Sequence, residues 1–166
     1  MQSSNRRTFL KSSAVAGAAV FAAPAAARSQ QSANDRLRVA VIGLGGRGRV
    51  CHCGSLRELA KDNVEIVALS DCDQRRLDAT AAEQEKFSGK RPLTEADPRT
   101  LLDDKSIDAV AIATPDHWHA LQTIWACQAG KDVYCEKPLA TSVGEGRAML
   151  NAANKYNRVV QMGTPH

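Results

Sequence analysis

From Leu37 onward, short apolar runs alternate with longer segments of helical periodicity. Leu37–Ile42 is apolar except at Arg38, the pattern of a strand buried on both faces. Arg47 to Leu59 predicts a helix, and Val64–Leu69 a second strand. Asp73 to about Phe87 is a charged helical stretch. Gly89 to Leu93 predicts a short third strand, and Asp97-Pro98 opens a short helix through Leu102. Ile107–Ala113 predicts a buried fourth strand. The helix predicted over Asp116–Ala129 places Leu121, Ile124 and Trp125 on one face and stops at Gly130. Val133–Cys135 is a fifth strand. Ser142-Val143-Gly144-Glu145 fits a capping box, worth about 1 kcal/mol at the cap. The helix it opens is expected to bury Met149, Leu150 and Ala153, and Arg158–Met162 to form a sixth strand. Alternating strands and helices imply a parallel sheet with right-handed crossovers. The expected fold is α/β, a doubly wound parallel sheet of about six strands, Rossmann-type.

The turn after the first strand gives that fold a chemistry. Gly43-Leu44-Gly45-Gly46-Arg47-Gly48 contains G-x-G-x-x-G between a buried strand and a helix. Its glycines allow a tight turn, close approach of backbone to a pyrophosphate, and close packing of helix on strand. The helix N-terminus adds unpaired N–H groups and positive potential. Asp71 ends the second strand about twenty residues later, the spacing of the acid that accepts the adenosine ribose hydroxyls. A carboxylate there repels a 2′-phosphate, which favours NAD over NADP. Asp73 is the rival for this role, and either aspartate suits a helix N-cap. Arg75 and Arg76 keep NADP open as the less favoured cofactor.

Composition narrows the context. The chain has 166 residues, 43% hydrophobic and 24% charged, which suits an ordinary globular domain rather than a disordered one. The net charge of +4 first suggests an anionic partner. However, Arg6, Arg7 and Lys11 stand in an N-terminal leader without acids, so the remainder is close to neutral and no nucleic-acid partner is expected. The leader runs from this charged start through a weakly apolar Ala14–Ala23 stretch to a small-residue site at Ala25-Ala26-Ala27. The stretch is too short for a stable membrane anchor. Arg6-Arg7 followed by Phe9-Leu10-Lys11 resembles a twin-arginine signal. It implies a partnership with that export machinery, export of the folded protein, and a periplasmic or otherwise exported location.

Two further motifs close the reading. Thr114-Pro115-Asp116-His117-Trp118-His119 follows the fourth strand, and Cys135-Glu136-Lys137-Pro138 the fifth. With the glycine turn, these resemble the Gfo/Idh/MocA family of oxidoreductases, from about Leu37 to the C-terminus. The resemblance implies a nicotinamide dinucleotide on the turn Gly43, Leu44, Gly45, Gly46, Arg47 and Gly48, with Asp71 at the ribose. It implies that Thr114, Pro115 and His119 border the nicotinamide half, that Glu136 and Pro138 position its ribose and ring, and that Lys137 is the catalytic lysine. A lysine that takes a proton near neutral pH must have its charged form disfavoured, by burial or by a neighbouring positive charge. The implied substrate is a sugar, a cyclitol or a related hydroxy compound.

The expected organisation is a leader over 1–27, a linker over 28–36, a nucleotide domain over 37–162, and the start of a crossover over 163–166. The resemblance places a second, substrate-binding α/β domain beyond this point, outside the sequence. The chain alone is then expected to be inactive, and a homo-oligomer is expected only with that domain. A glycosidase of the same superfamily and a noncatalytic nucleotide-binding module are the alternatives. The intact Glu136-Lys137-Pro138 favours the oxidoreductase. The five cysteines and the Cys51-His52-Cys53 and His117-Trp118-His119 runs lack metal-ligand spacing, so no metal is expected. Trp118 and Trp125 read as packing residues.

Overall fold

The computed structural model describes residues 36–164. The leader, nearly all of the linker, and Pro165 and His166 lie outside the described residues. Six strands form one parallel sheet: β1 Leu37–Ile42, β2 Val64–Ser70, β3 Leu93–Glu95, β4 Ala109–Ile112, β5 Asp132–Cys135 and β6 Val160–Met162. Their spatial order is β3-β2-β1-β4-β5-β6, with the reversal between β1 and β4 that defines a doubly wound sheet.

Alternation along β1 builds two cores. Val39 and Val41 point to one face, where they meet Cys53 of α1 (Cys53–Glu58) and Leu77 and Ala81 of α2 (Gln74–Ser88). Ala40 and Ile42 point to the other. There they join Leu101 of α3 (Pro98–Asp103), Ala126 and Cys127 of α4 (Asp116–Gln128), and Ala152 of α5 (Val143–Tyr156). A strand covered on both faces needs no polar side, which is why the sequence of β1 is nearly unbroken in apolar residues.

Several expected boundaries move. The third strand starts at Leu93 rather than Gly89. Gly89 adopts φ +75° and closes α2 through its N–H on the Glu85 carbonyl, and Pro92 has no N–H for a ladder. The fourth strand begins at Ala109, because the Ile107 N–H is spent on a turn to Asp104. The first helix is not uniform: Arg47–His52 is a π turn, Cys53–Glu58 is α-helical, and Leu59–Asp62 is 3₁₀. In α4 the buried face carries His119, Ala120, Gln122 and Thr123, while Leu121 is exposed. In α5 Met149 and Ala152 are buried, and Leu150 is exposed. The capping box is half formed. Ser142 accepts the Glu145 N–H, but the Glu145 carboxylate accepts from the N–H and hydroxyl of Thr141.

The turn between β1 and the π turn leaves no room for side chains at its ends. Gly43 has φ +88°, and a Cβ there would stand 2.7 Å from the Ala113 carbonyl carbon. A Cβ on Gly48 would stand 1.8 Å from the Gly43 carbonyl oxygen. Gly48→Ala therefore destabilises the protein by about 3 kcal/mol or more, since only backbone can yield. Gly54→Ala in α1 meets nothing within 4 Å among the described residues and stabilises by about 0.5–1 kcal/mol. Denaturant unfolding of both variants measures the contrast.

Candidate functional site

The carboxyl ends of β1, β2 and β4 open, with the start of α3, onto a cleft of about 890 Å³. Gly43, Gly45, Gly46 and Arg47 line one side, and Asp71, Cys72 and Arg76 the β2 end. Ala96 to Arg99, Thr114, Pro115, Trp118, Gln122 and Trp125 complete it. Gly45 and Gly46 form a bare cradle. Among the described residues, a Cβ on Gly46 would meet nothing within 4 Å, and one on Gly45 only the Arg76 guanidinium at 4.0 Å. The space in front of this backbone suits a ligand, and a helix start leaves its first N–H groups free to meet an anion.

Asp71 is buried at the end of β2. One carboxylate oxygen accepts the Leu44 N–H at 2.6 Å and the other the Asp73 N–H at 2.8 Å. Each oxygen keeps lone-pair capacity for a further donor, such as a ribose hydroxyl. Asp73 is the helix N-cap, accepting the Arg75 N–H. Its carboxyl is held below the usual range, first by the Arg75 side-chain hydrogen bond. Two candidates for one role thus separate into a residue facing the cleft and a cap. Arg75 points away onto Asp73, whereas Arg76 lines the cleft.

The two loops that resemble the family motifs are tied together by His119. This side chain is 1% exposed, and its ring nitrogens lie 2.7 Å from the Pro138 carbonyl and 2.9 Å from the Thr114 carbonyl. His119 thus sits behind the cleft as a cross-link between the β4 and β5 ends. Thr114 donates its hydroxyl to Gln122 at 2.8 Å. Lys137 and Pro138, joined by a cis peptide bond, are both exposed.

Glu136 is buried, and one of its oxygens meets both Arg47 Nε at 3.2 Å and His52 Nε2 at 3.0 Å. The other accepts the Lys137 N–H at 3.1 Å. Burial pushes the Glu136 carboxyl up, but the hydrogen bonds from His52 and Lys137 and the Arg47 charge outweigh it, and the net shift is downward. Asp97 caps α3, and its ion pair with Arg99 lowers its carboxyl to about 2. Arg99 in turn lies over the Trp125 ring, 5.7 Å from its centroid.

Both tryptophans line the cleft; Trp125 also packs against the core, whereas Trp118 is 42% exposed and is not the packing residue expected. Sequence reasoning also missed His52 and Gln122. Gln122 had a signal, a polar side chain on the buried face of a helix. His52 had none, because its position depends on a π turn. Among the described residues, all five cysteines are free, and no three His, Cys, Asp or Glu side chains gather as a metal site. Burial pushes the Cys53 and Cys135 thiols up to about 11, so they remain protonated packing groups. No helix among the described residues is long and apolar enough to cross a membrane.

A doubly wound sheet with a bare glycine turn, and an acid at the next strand end, defines a dinucleotide-binding domain. Residues 37–164 match the model of the oxidoreductase family with an NAD-binding Rossmann fold, Gfo/Idh/MocA, and the chain belongs to that family. Inositol 2-dehydrogenase 1 of Saccharopolyspora erythraea is 38% identical over 76% of this chain and 36% of its own length. A glycosyl hydrolase family 109 protein of Stenotrophomonas maltophilia is 38% identical over 79% of this chain and 29% of its own length. The WlbA dehydrogenase from Bordetella pertussis, solved with NADH and UDP-GlcNAcA, superposes with a TM-score of 0.66 at 28% identity, covering 77% of this chain and 37% of that one. The chain thus spans about a third of the length of such relatives.

Glu136→Gln removes a buried charge from two partners and costs about 1–3 kcal/mol at neutral pH. The sign with pH follows from the lowered carboxyl. The stabilisation is complete above the ordinary glutamate range and is lost as pH falls through the lowered value. Unfolding free energies measured from pH 7 to pH 3 converge for the wild type and Glu136→Gln.

Proposed function

We propose that the chain is the cofactor-binding part of an exported NAD-dependent oxidoreductase acting on a sugar, a cyclitol or a related hydroxy compound. The carrying observation is the bare Gly45–Gly46 cradle beside Asp71, in one cleft at the strand ends. The residues fit the cofactor: backbone N–H groups meet the pyrophosphate, Arg47 adds charge, and the Asp71 oxygens accept ribose hydroxyls. A carboxylate at that position disfavours a 2′-phosphate. Bound NAD supplies the hydride acceptor or donor. Thr114 and Pro115 border the nicotinamide half, with His119 and Glu136 fixing the loops behind it. Lys137 Nζ takes the substrate hydroxyl proton during oxidation and returns it during reduction. Because Lys137 is exposed in the domain, the lost solvation and the nicotinamide charge arise only when cofactor and substrate are seated.

The Arg6-Arg7 leader supports export by the twin-arginine route, which carries folded proteins. The glycosyl hydrolase relative supports a second reading, cleavage of a glycoside with transient oxidation. Net NADH formation from free sugars or cyclitols favours the oxidoreductase. Glycoside cleavage without net NADH favours the alternative.

Both tryptophans of the chain border the cleft, so NADH binding quenches their emission. Titration gives a dissociation constant at least about tenfold lower for NADH than for NADPH, the effect of one like-charge contact. Tighter NADPH binding contradicts the role of Asp71. In turnover assays of the protein joined to a substrate-binding domain, Lys137→Ala lowers kcat by about 100-fold or more. Its NADH affinity stays near that of the wild type, and unchanged kcat refutes the proton role.

A further inference from the structure

Arg47 and His52 lie five residues apart, at the two ends of the π turn. The Cys53 N–H donates to the Gly48 carbonyl, the five-residue spacing that defines this winding. Residues five apart diverge on an α-helix. A π turn brings them onto one side, and here both side chains reach the same oxygen of Glu136. The two are not equivalent. Arg47 is 41% exposed and lines the cleft beside Gly45 and Gly46, whereas His52 is 7% exposed. Among the described residues His52 Nδ1 is buried without a partner, and Nε2 carries the proton, donating to the acceptor-only Glu136 carboxylate. The Tyr134 ring meets the imidazole edge-on at 5.3 Å and holds its plane.

We propose that His52 is a positioning residue for the dinucleotide site, keeping the Glu136 carboxylate satisfied so that Arg47 can turn to the pyrophosphate. The inference rests on the NAD-binding reading above. A buried carboxylate whose only strong partner is Arg47 retains that arginine, because releasing it leaves a charge unpaired. With His52 and the Lys137 N–H both donating, Glu136 keeps two hydrogen bonds after Arg47 leaves. The π turn is the local device that makes this exchange possible.

The test measures ADP-ribose binding to the full chain by calorimetry. ADP-ribose carries the pyrophosphate and lacks nicotinamide. His52→Phe retains a ring against Tyr134 and removes the donor. It raises the dissociation constant about tenfold, the scale of one charge-assisted contact. Adding Glu136→Gln to His52→Phe removes the charge that retains Arg47, and affinity recovers by about threefold or more over the single variant. A merely structural role of His52 predicts the opposite, a double variant no better than the single one, and that result overturns the proposal. Wild-type affinity in His52→Phe overturns it as well. His52→Leu, alone and with Glu136→Gln, carries the same comparison if the phenylalanine variant does not fold. Failure of the wild-type chain to bind ADP-ribose contradicts the NAD-binding reading itself, a result distinct from either.

Discussion

The glycine turn after β1 is the constraint on which the rest depends. Its two ends touch backbone, Gly43 against Ala113 and Gly48 against Gly43, at separations that admit no Cβ. Such a contact supplies little energy of its own and must be held by what surrounds it. Two buried carboxylates do so from opposite sides. Asp71 reaches from β2 to the Leu44 N–H, and Glu136 reaches from β5 to Arg47 and His52. The turn is thereby fixed to strands on either side of β1, and its cradle faces the cleft with no side chain of its own.

Electrostatics follow from the same arrangement. Residues 28–166 are close to neutral, yet Arg47, Arg76 and Arg99 all line the cleft. Their partners, Glu136, Asp71 with Asp73, and Asp97, sit at the strand ends or helix caps. Positive groups are thus presented to a ligand without a large net charge. On α4 the buried polar face serves the same purpose, since His119 and Gln122 hold the Thr114 loop rather than fill a core.

The parallel six-stranded sheet and the glycine turn were legible in the sequence because strict patterns encode them, apolar runs alternating with helical periodicity and fixed glycine spacing. The assignment of Asp71 against Asp73 was not, since both types suit a cap and only the hydrogen bonds separate them. Leu121 and Leu150 misled because an apolar residue on a helix does not by itself identify the buried face. The meeting of Arg47 and His52 was illegible for a different reason. It depends on a local change of helical winding that leaves no compositional mark. Where the site failed to show in the sequence, backbone geometry rather than residue type carried the information.

In the proposed function the backbone of the turn forms the dinucleotide cradle. Amide chemical shifts of the isotopically labelled chain, followed by NMR during titration with NAD, test it most directly. The largest shifts are expected at Gly45, Gly46 and Arg47, with accompanying changes at Asp71 and Leu44. Saturable binding that leaves those amides unmoved while others shift would contradict it.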